Sequence, residues 1–248
     1  MSERAPFTVR FYEPRDRAAV RRICCQTGYL GTPIDPVFED YELFADYLTS
    51  YYTDVEPEHT VVLEIDGEIK GYVMGCLHPG KHSRYEAWHN VVLALTGAWR
   101  YFTRPYNAAT RRYVKWIIRN SRKEMPVTPK NTPHFHFNVV PEARKIAHTA
   151  AALQKLLERF HEKGAKAIYA QMVQYEDRRS SRMFEHYGFQ SLGCVEVTKF
   201  REVYPKKIFL HTILKDLTQN PNLYGLDLAR ERKKQARAAT PTTESPAA

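Results

Sequence analysis

The sequence predicts a mixed α/β fold, on three observations. Residues 135–189 read as an apolar strand, a turn, a long amphipathic helix, a second strand and a short helix closing on Gly188-Phe189. Two apolar runs meet at Asp66-Gly67, the residue pair best suited to a tight hairpin. Between the hairpin and the strand at 134–140, large apolar residues recur at helical spacing, so a helical insertion interrupts the sheet.

In chain order, Thr8 to Tyr12 reads as a strand, and Pro14 suits the first turn of a helix carrying Val20, Ile23, Cys24 and Thr27 up to Gly28. Tyr41, Phe44, Leu48 and Tyr51 mark one face of a second helix. The hairpin pairs residues 60–65 with 68–74. Residues 80–132 form the insertion: Trp88, Val91, Val92, Leu95, Trp99 and Phe102 lie on one helical stripe, and Tyr113, Val114, Ile117 and Ile118 on another. In the strand 134–140, His134, His136 and Asn138 alternate with Phe135, Phe137 and Val139, giving one polar and one apolar face. A helix over Ile146 to Phe160 ends at Gly164, and a strand follows at 167–173. Ser180, Met183, Phe184 and Tyr187 mark the short helix, and residues 191–199 and 207–214 read as two closing strands. Residues 1–217 are thus expected to form one domain, with 218–248 a polar, disordered tail.

The chain has 248 residues and a net charge of +9, which favours anionic partners. Four cysteines show no metal or disulfide spacing, no apolar run reaches the roughly 20 residues of a membrane span, and no signal-type apolar segment follows Met1. The expected location is cytoplasmic, at most peripheral to a membrane. His134 and His136 would begin a metal site, but no third ligand stands at matching spacing, so no metal is expected.

The element order resembles the GNAT superfamily of acyl-CoA-dependent N-acyltransferases. The motifs that carry the likeness are Val140-Pro141-Glu142-Ala143-Arg144 before the long helix and Met183-Phe184-Glu185-His186-Tyr187-Gly188-Phe189 near the end. Arg15-Asp16-Arg17 with Thr27-Gly28 is also similar to bacterial members related to the acetyltransferase-like domain of O-GlcNAcases. The resemblance spans roughly residues 7–215. It implies a GNAT-like, mostly antiparallel central sheet flanked by helices, splayed between 134–140 and 167–173 to admit a pantetheine arm. It implies acetyl-CoA or another acyl-CoA as co-substrate and a small-molecule or peptide amine as acceptor. The pyrophosphate would lie over the helix start, held by Val139, Val140, Arg144, Lys145, Ala147, His148 and Thr149. Two features depart from the family pattern. Its three loop glycines are Lys145, Ala147 and Thr149 here, and its tyrosine acid is Phe184, with Asp177 where an asparagine often stands.

Candidate catalytic groups are His136 as general base, with Glu64 and His78 behind it, and Tyr187 as a substitute acid on the face of Phe184. Each histidine has a plain alternative as a structural hydrogen-bonding residue, and Tyr187 as a core residue. Loss of the tyrosine at 184 leaves a catalytically silent ligand-, membrane- or protein-binding module as the alternative. Residues 100–130 hold nine basic residues against Glu124 alone, interleaved with aromatics. An anionic membrane or an acidic carrier protein meeting residues 84–123, a homodimer contact, and packing on the domain's own core are the competing readings. No nucleic-acid motif accompanies the charge, so no nucleic acid is expected.

Overall fold

A computed structural model describes residues 7–176, 182–218 and 221–223, with the backbone alone at Arg182 and Met183. The readings at Asp177 and Ser180, and nearly all of the tail, lie outside these residues. The strands are β1 (Phe7–Phe11), β2 (Thr60–Ile65), β3 (Glu68–Cys76), β4 (His134–Val139), β5 (Ala167–Tyr175), β6 (Gln190–Glu196) and β7 (Ile208–Asp216). The helices are α1 (Arg17–Thr27), α2 (Tyr41–Ser50), α3 (Pro79–Thr103), α4 (Ala108–Asn120), α5 (Ile146–Glu162) and α6 (Arg182–His186).

One seven-stranded sheet runs in the order β1-β2-β3-β4-β5-β7-β6. Every neighbouring pair is antiparallel except β4 with β5, which are parallel. The β2–β3 turn places Asp66 at φ 52° and Gly67 at φ 77°, both left-handed, as a two-residue hairpin of this type requires. α5 buries Leu153, Leu156, Leu157 and Phe160 against Val61, Val73, Phe135 and Ile168 on one face of the sheet. The periodicity of these residues puts them on one helical stripe, and each full burial is worth about 1.5–3 kcal/mol. The other face carries α1 and α2, with Val20, Ile23 and Phe44 packed on Leu63, Tyr72 and Met74.

The insertion is two helices. α3 is 25 residues long without one fully buried residue, and α4 is 13 residues long with Thr110 buried. Both are tied to the start of α2. Buried Asp40 caps α2 through Leu43 N–H (3.2 Å), accepts from Arg100 at 2.6 Å and Arg104 at 3.3 Å, and accepts from the Tyr106 hydroxyl. Burial alone would raise the Asp40 carboxyl, but these donors, Tyr106 first, hold it below its ordinary value.

Candidate functional site

β4 and β5 touch only where they begin. His134 pairs with Tyr169, and the Tyr169 N–H donates to Pro133 O at 2.9 Å; no further β4–β5 pairing exists among the described residues. On its other side β4 pairs with β3 along its whole length, from Cys76↔His134 to Gly71↔Val139. The strands therefore open into a V, and the β5-facing backbone groups of β4 beyond His134 have no strand partner among the described residues. Unpaired backbone groups inside a protein need a partner, and an extended amide-bearing chain is one that fits.

The outer ends of the V meet one loop. Tyr175 at the end of β5 donates its hydroxyl to Leu30 O (3.0 Å), and Arg144 after β4 donates to Gly31 O. Arg144 also donates from Nε to Val139 O at 2.9 Å. The arginine thus fastens the strand end to the α1–α2 connection, a role invisible from its neighbours because Gly31 lies 113 residues away in sequence.

β4 is followed by a 3-10 turn over Pro141–Ala143 and then the start of α5. Lys145 caps α5 at φ −104°, and its carbonyl accepts from His148 N–H (3.0 Å) and Thr149 N–H (3.2 Å). Ile146 and Ala147 stand at the first helical positions, whose N–H groups have no acceptor within a helix. The non-glycine residues with positive φ among those described are Leu30, Asp66 and Asn131, so Lys145, Ala147 and Thr149 carry no backbone strain where the resemblance leads one to expect glycine. His148 faces inward: its ring packs on Phe7 and its Nδ1 lies 3.0 Å from Ala143 O, holding the turn. Val139 and Val140 are buried behind the turn, while Arg144, Lys145, Ile146 and Ala147 are exposed.

At the closed end of the V lies a cluster of histidine and tyrosine. The His134 Nε2 and the Tyr52 hydroxyl share a hydrogen bond at 2.8 Å. The His82 ring centroid is 4.7 Å from that of His134, and His136 is 5.5 Å from Tyr52 and 5.7 Å from His134. Burial, with the neighbouring His136 and His82, pushes His134 well below its ordinary pKa. His136 is exposed to solvent on one side, but the protein packed around the rest of the ring desolvates it; that desolvation, reinforced by His82, pushes it down to about 4. Burial likewise lowers His82 against the pull of Glu56, and raises Tyr52 well above a free phenol. The cluster is therefore neutral at physiological pH: imidazoles free to accept a proton beside a phenol that keeps its own.

The other candidates sit elsewhere. Glu64 is held by Arg10 Nε at 3.0 Å, within an Arg10–Asp16 ion pair. In register, His136 aligns with Met74 and Met74 with Thr60, so Glu64 stands about 13 Å further along β2 and two strands across. His78 caps the start of α3 and contacts Glu56 Oε1 at 2.7 Å. Glu56, His59 and His78 bring one donor atom each to within 4.8 Å, the spacing of a metal site. The Glu56 oxygens already accept from Leu77 N–H (3.0 Å) and the Tyr51 hydroxyl (2.6 Å), so hydrogen bonding accounts for this hub. Phe184 is buried and Tyr187 partly buried, both against the α5-side cluster rather than the His136 face. Tyr52 and His82 were not singled out in sequence. Tyr52 follows the last turn of α2 in a wide turn over Tyr51–Val55, a form frequent at functional sites, which rotates it inward.

No family model and no curated protein sequence matches the chain. Solved structures do. The crystal structure of SsHAT superposes with a TM-score of 0.61 at 24% identity, covering 86% of this chain and 99% of that one. The polyamine N-acetyltransferase of Drosophila melanogaster, which forms N-acetylagmatine, gives 0.51 at 15% identity over 85% of this chain and all (100%) of that one. An N-acetyltransferase from Staphylococcus aureus Mu50 gives 0.50 at 14% identity over 86% of this chain and 100% of its own. With its splayed parallel pair and flanking antiparallel strands, the chain is a divergent example of the GNAT fold.

Proposed function

We propose that the protein is an N-acyltransferase that passes an acyl group, acetyl first, from acyl-CoA to a small-molecule or peptide amine. The observation that carries this reading is the V between β4 and β5, whose unpaired β4 backbone leads directly to the free N–H groups at the start of α5. The fit of the group to these residues is chemical. An extended amide chain suits the open strand edge, and a pyrophosphate suits the α5 start with exposed Lys145 beside it. Arg144 supports the turn by binding backbone carbonyls. Acyl-CoA, when bound, supplies an activated thioester carbonyl.

His136 takes the proton of the attacking amine. A base with a pKa of about 4 is weak in isolation, but the desolvation that keeps His136 neutral also disfavours a charged ammonium beside it. The acceptor is thereby held as the neutral amine, and the two pKa values move down together. Phe184 offers no proton to the departing thiolate, which is a fair leaving group without one. The buried Phe184 is also what favours the second reading, a binding module without catalysis.

The test is release of free thiol from acetyl-CoA across a panel of primary amines. Transfer is expected with at least one amine, and Lys145→Glu should raise KM for acetyl-CoA roughly tenfold with kcat unchanged, the size expected for reversing one exposed charge near a phosphate. Saturable acetyl-CoA binding without thiol release on any amine would support the silent module instead.

A further inference from the structure

The sequence places aromatic and basic residues on the same inserted segment, but the structure separates them. The exposed side of α4 holds Arg111, Arg112, Lys115 and Arg119. On α3, Arg100 turns inward to Asp40, and His89 Nε2 approaches Asp46 O at 3.3 Å. The opposite side of α3 exposes Trp88 (71%), Leu95 (68%), Trp99 (71%) and Phe102 (84%), with Val91 and Val92 between them. From Ala87 to Phe102 this exposed side carries no charged residue.

We infer that this face of α3 is the interface with a second copy of the chain. Three features select that occupant. First, Trp88, Val92, Leu95, Trp99 and Phe102 follow steps of four, three, four and three residues, the seam spacing of paired helices. Ala87, Ala94 and Ala98 run beside the large residues, so a partner's knobs meet holes. Second, Leu95 is seven residues from both Trp88 and Phe102. A twofold axis at Leu95 therefore sets Trp88 of one protomer level with Phe102 of its antiparallel partner, the self-complementary order an isologous contact needs. Third, the area fits. Aromatic side chains offer about 150–250 Å² each, and the exposed parts of these six large residues approach the roughly 800 Å² per partner of a stable interface. An interfacial lipid-binding helix carries free cations on the polar face that flanks its apolar face; from Ala87 to Phe102 the only cation of α3 is Arg100, which is paired with Asp40. A contact free of charge also lets two chains of net charge +9 meet there without facing like charges.

Sedimentation equilibrium of the full chain should give twice the chain mass of 28.9 kDa. Leu95→Glu should weaken self-association at least about thirty-fold, as a central contact residue does, with an unchanged circular dichroism spectrum. Leu95→Lys should do the same, and an equimolar mixture of the two variants should regain the dimer, because Leu95 faces its own copy across the axis. A monomeric wild type, a Leu95→Glu variant that remains dimeric, or a mixture that stays monomeric overturns the inference. Monomers that co-sediment with phosphatidylserine or phosphatidylcholine vesicles would assign the face to lipid instead.

Discussion

His136→Ala should lower kcat/KM for acyl transfer by about 10²–10⁴-fold, the usual worth of a positioned base. Acetyl-CoA affinity should not change, because the proposed pyrophosphate subsite is the start of α5, whereas His136 lies near the start of β4 in the cluster with Tyr52 and His134. The pH profile adds a second readout: wild-type kcat/KM should fall as pH drops towards about 4, and His136→Ala should lose that fall. With its pKa near 4, His136 is already unprotonated at pH 6.5, so the wild-type profile should show no inflection at an ordinary histidine pKa. The same lowering has a sign for stability. Between about pH 6.5 and 4 the unfolded chain binds protons that His134 and His136 refuse in the fold, so stability should fall as pH falls through that range. For buried His134 the slope is at most about 1.4 kcal/mol per pH unit. Full activity of His136→Ala with the best amine would remove this residue from the chemistry.

Asp40→Ala should destabilise the protein by about 3–5 kcal/mol, the cost of breaking a buried, hydrogen-bonded charge cluster from one side. Its carboxylate caps α2 and receives Arg100, Arg104 and Tyr106, so removal strands a buried phenol and at least one partly buried guanidinium. The loss should concentrate in the insertion. Hydrogen exchange in α3 and α4 should quicken more than in α5, whose core lies on the other face of the sheet. Equal protection across all three helices, or a loss under about 1 kcal/mol, would show that Asp40 does not anchor the insertion.

Local chemistry made much of this fold legible. Asp66-Gly67 dictated the hairpin, the stripe from Ile146 to Phe160 dictated α5, and alternation in 134–139 put His134 and His136 on one face. The site was harder, because its parts meet through distant pairings. Arg144 looked like a phosphate ligand until Gly31 and Val139 appeared beside it. Glu64 looked available until Arg10 did. Tyr52 was hidden because the apolar period of α2 continues through Tyr51 without marking the wide turn that follows. Counting charge over the whole insertion blended two faces that belong to different helices: Trp88, Leu95, Trp99 and Phe102 stand clear of the core, whereas Tyr113 packs on Phe38 and Trp116 donates to Thr198 at 3.0 Å.

Calorimetric titration of the wild-type chain with acetyl-CoA asks whether a thioester seats in the V between β4 and β5, on which the role of His136 depends. Saturable one-to-one binding is expected, competed away by free CoA and weakened by Lys145→Glu. No heat and no competition up to millimolar acetyl-CoA, with a folded protein in the cell, would contradict it.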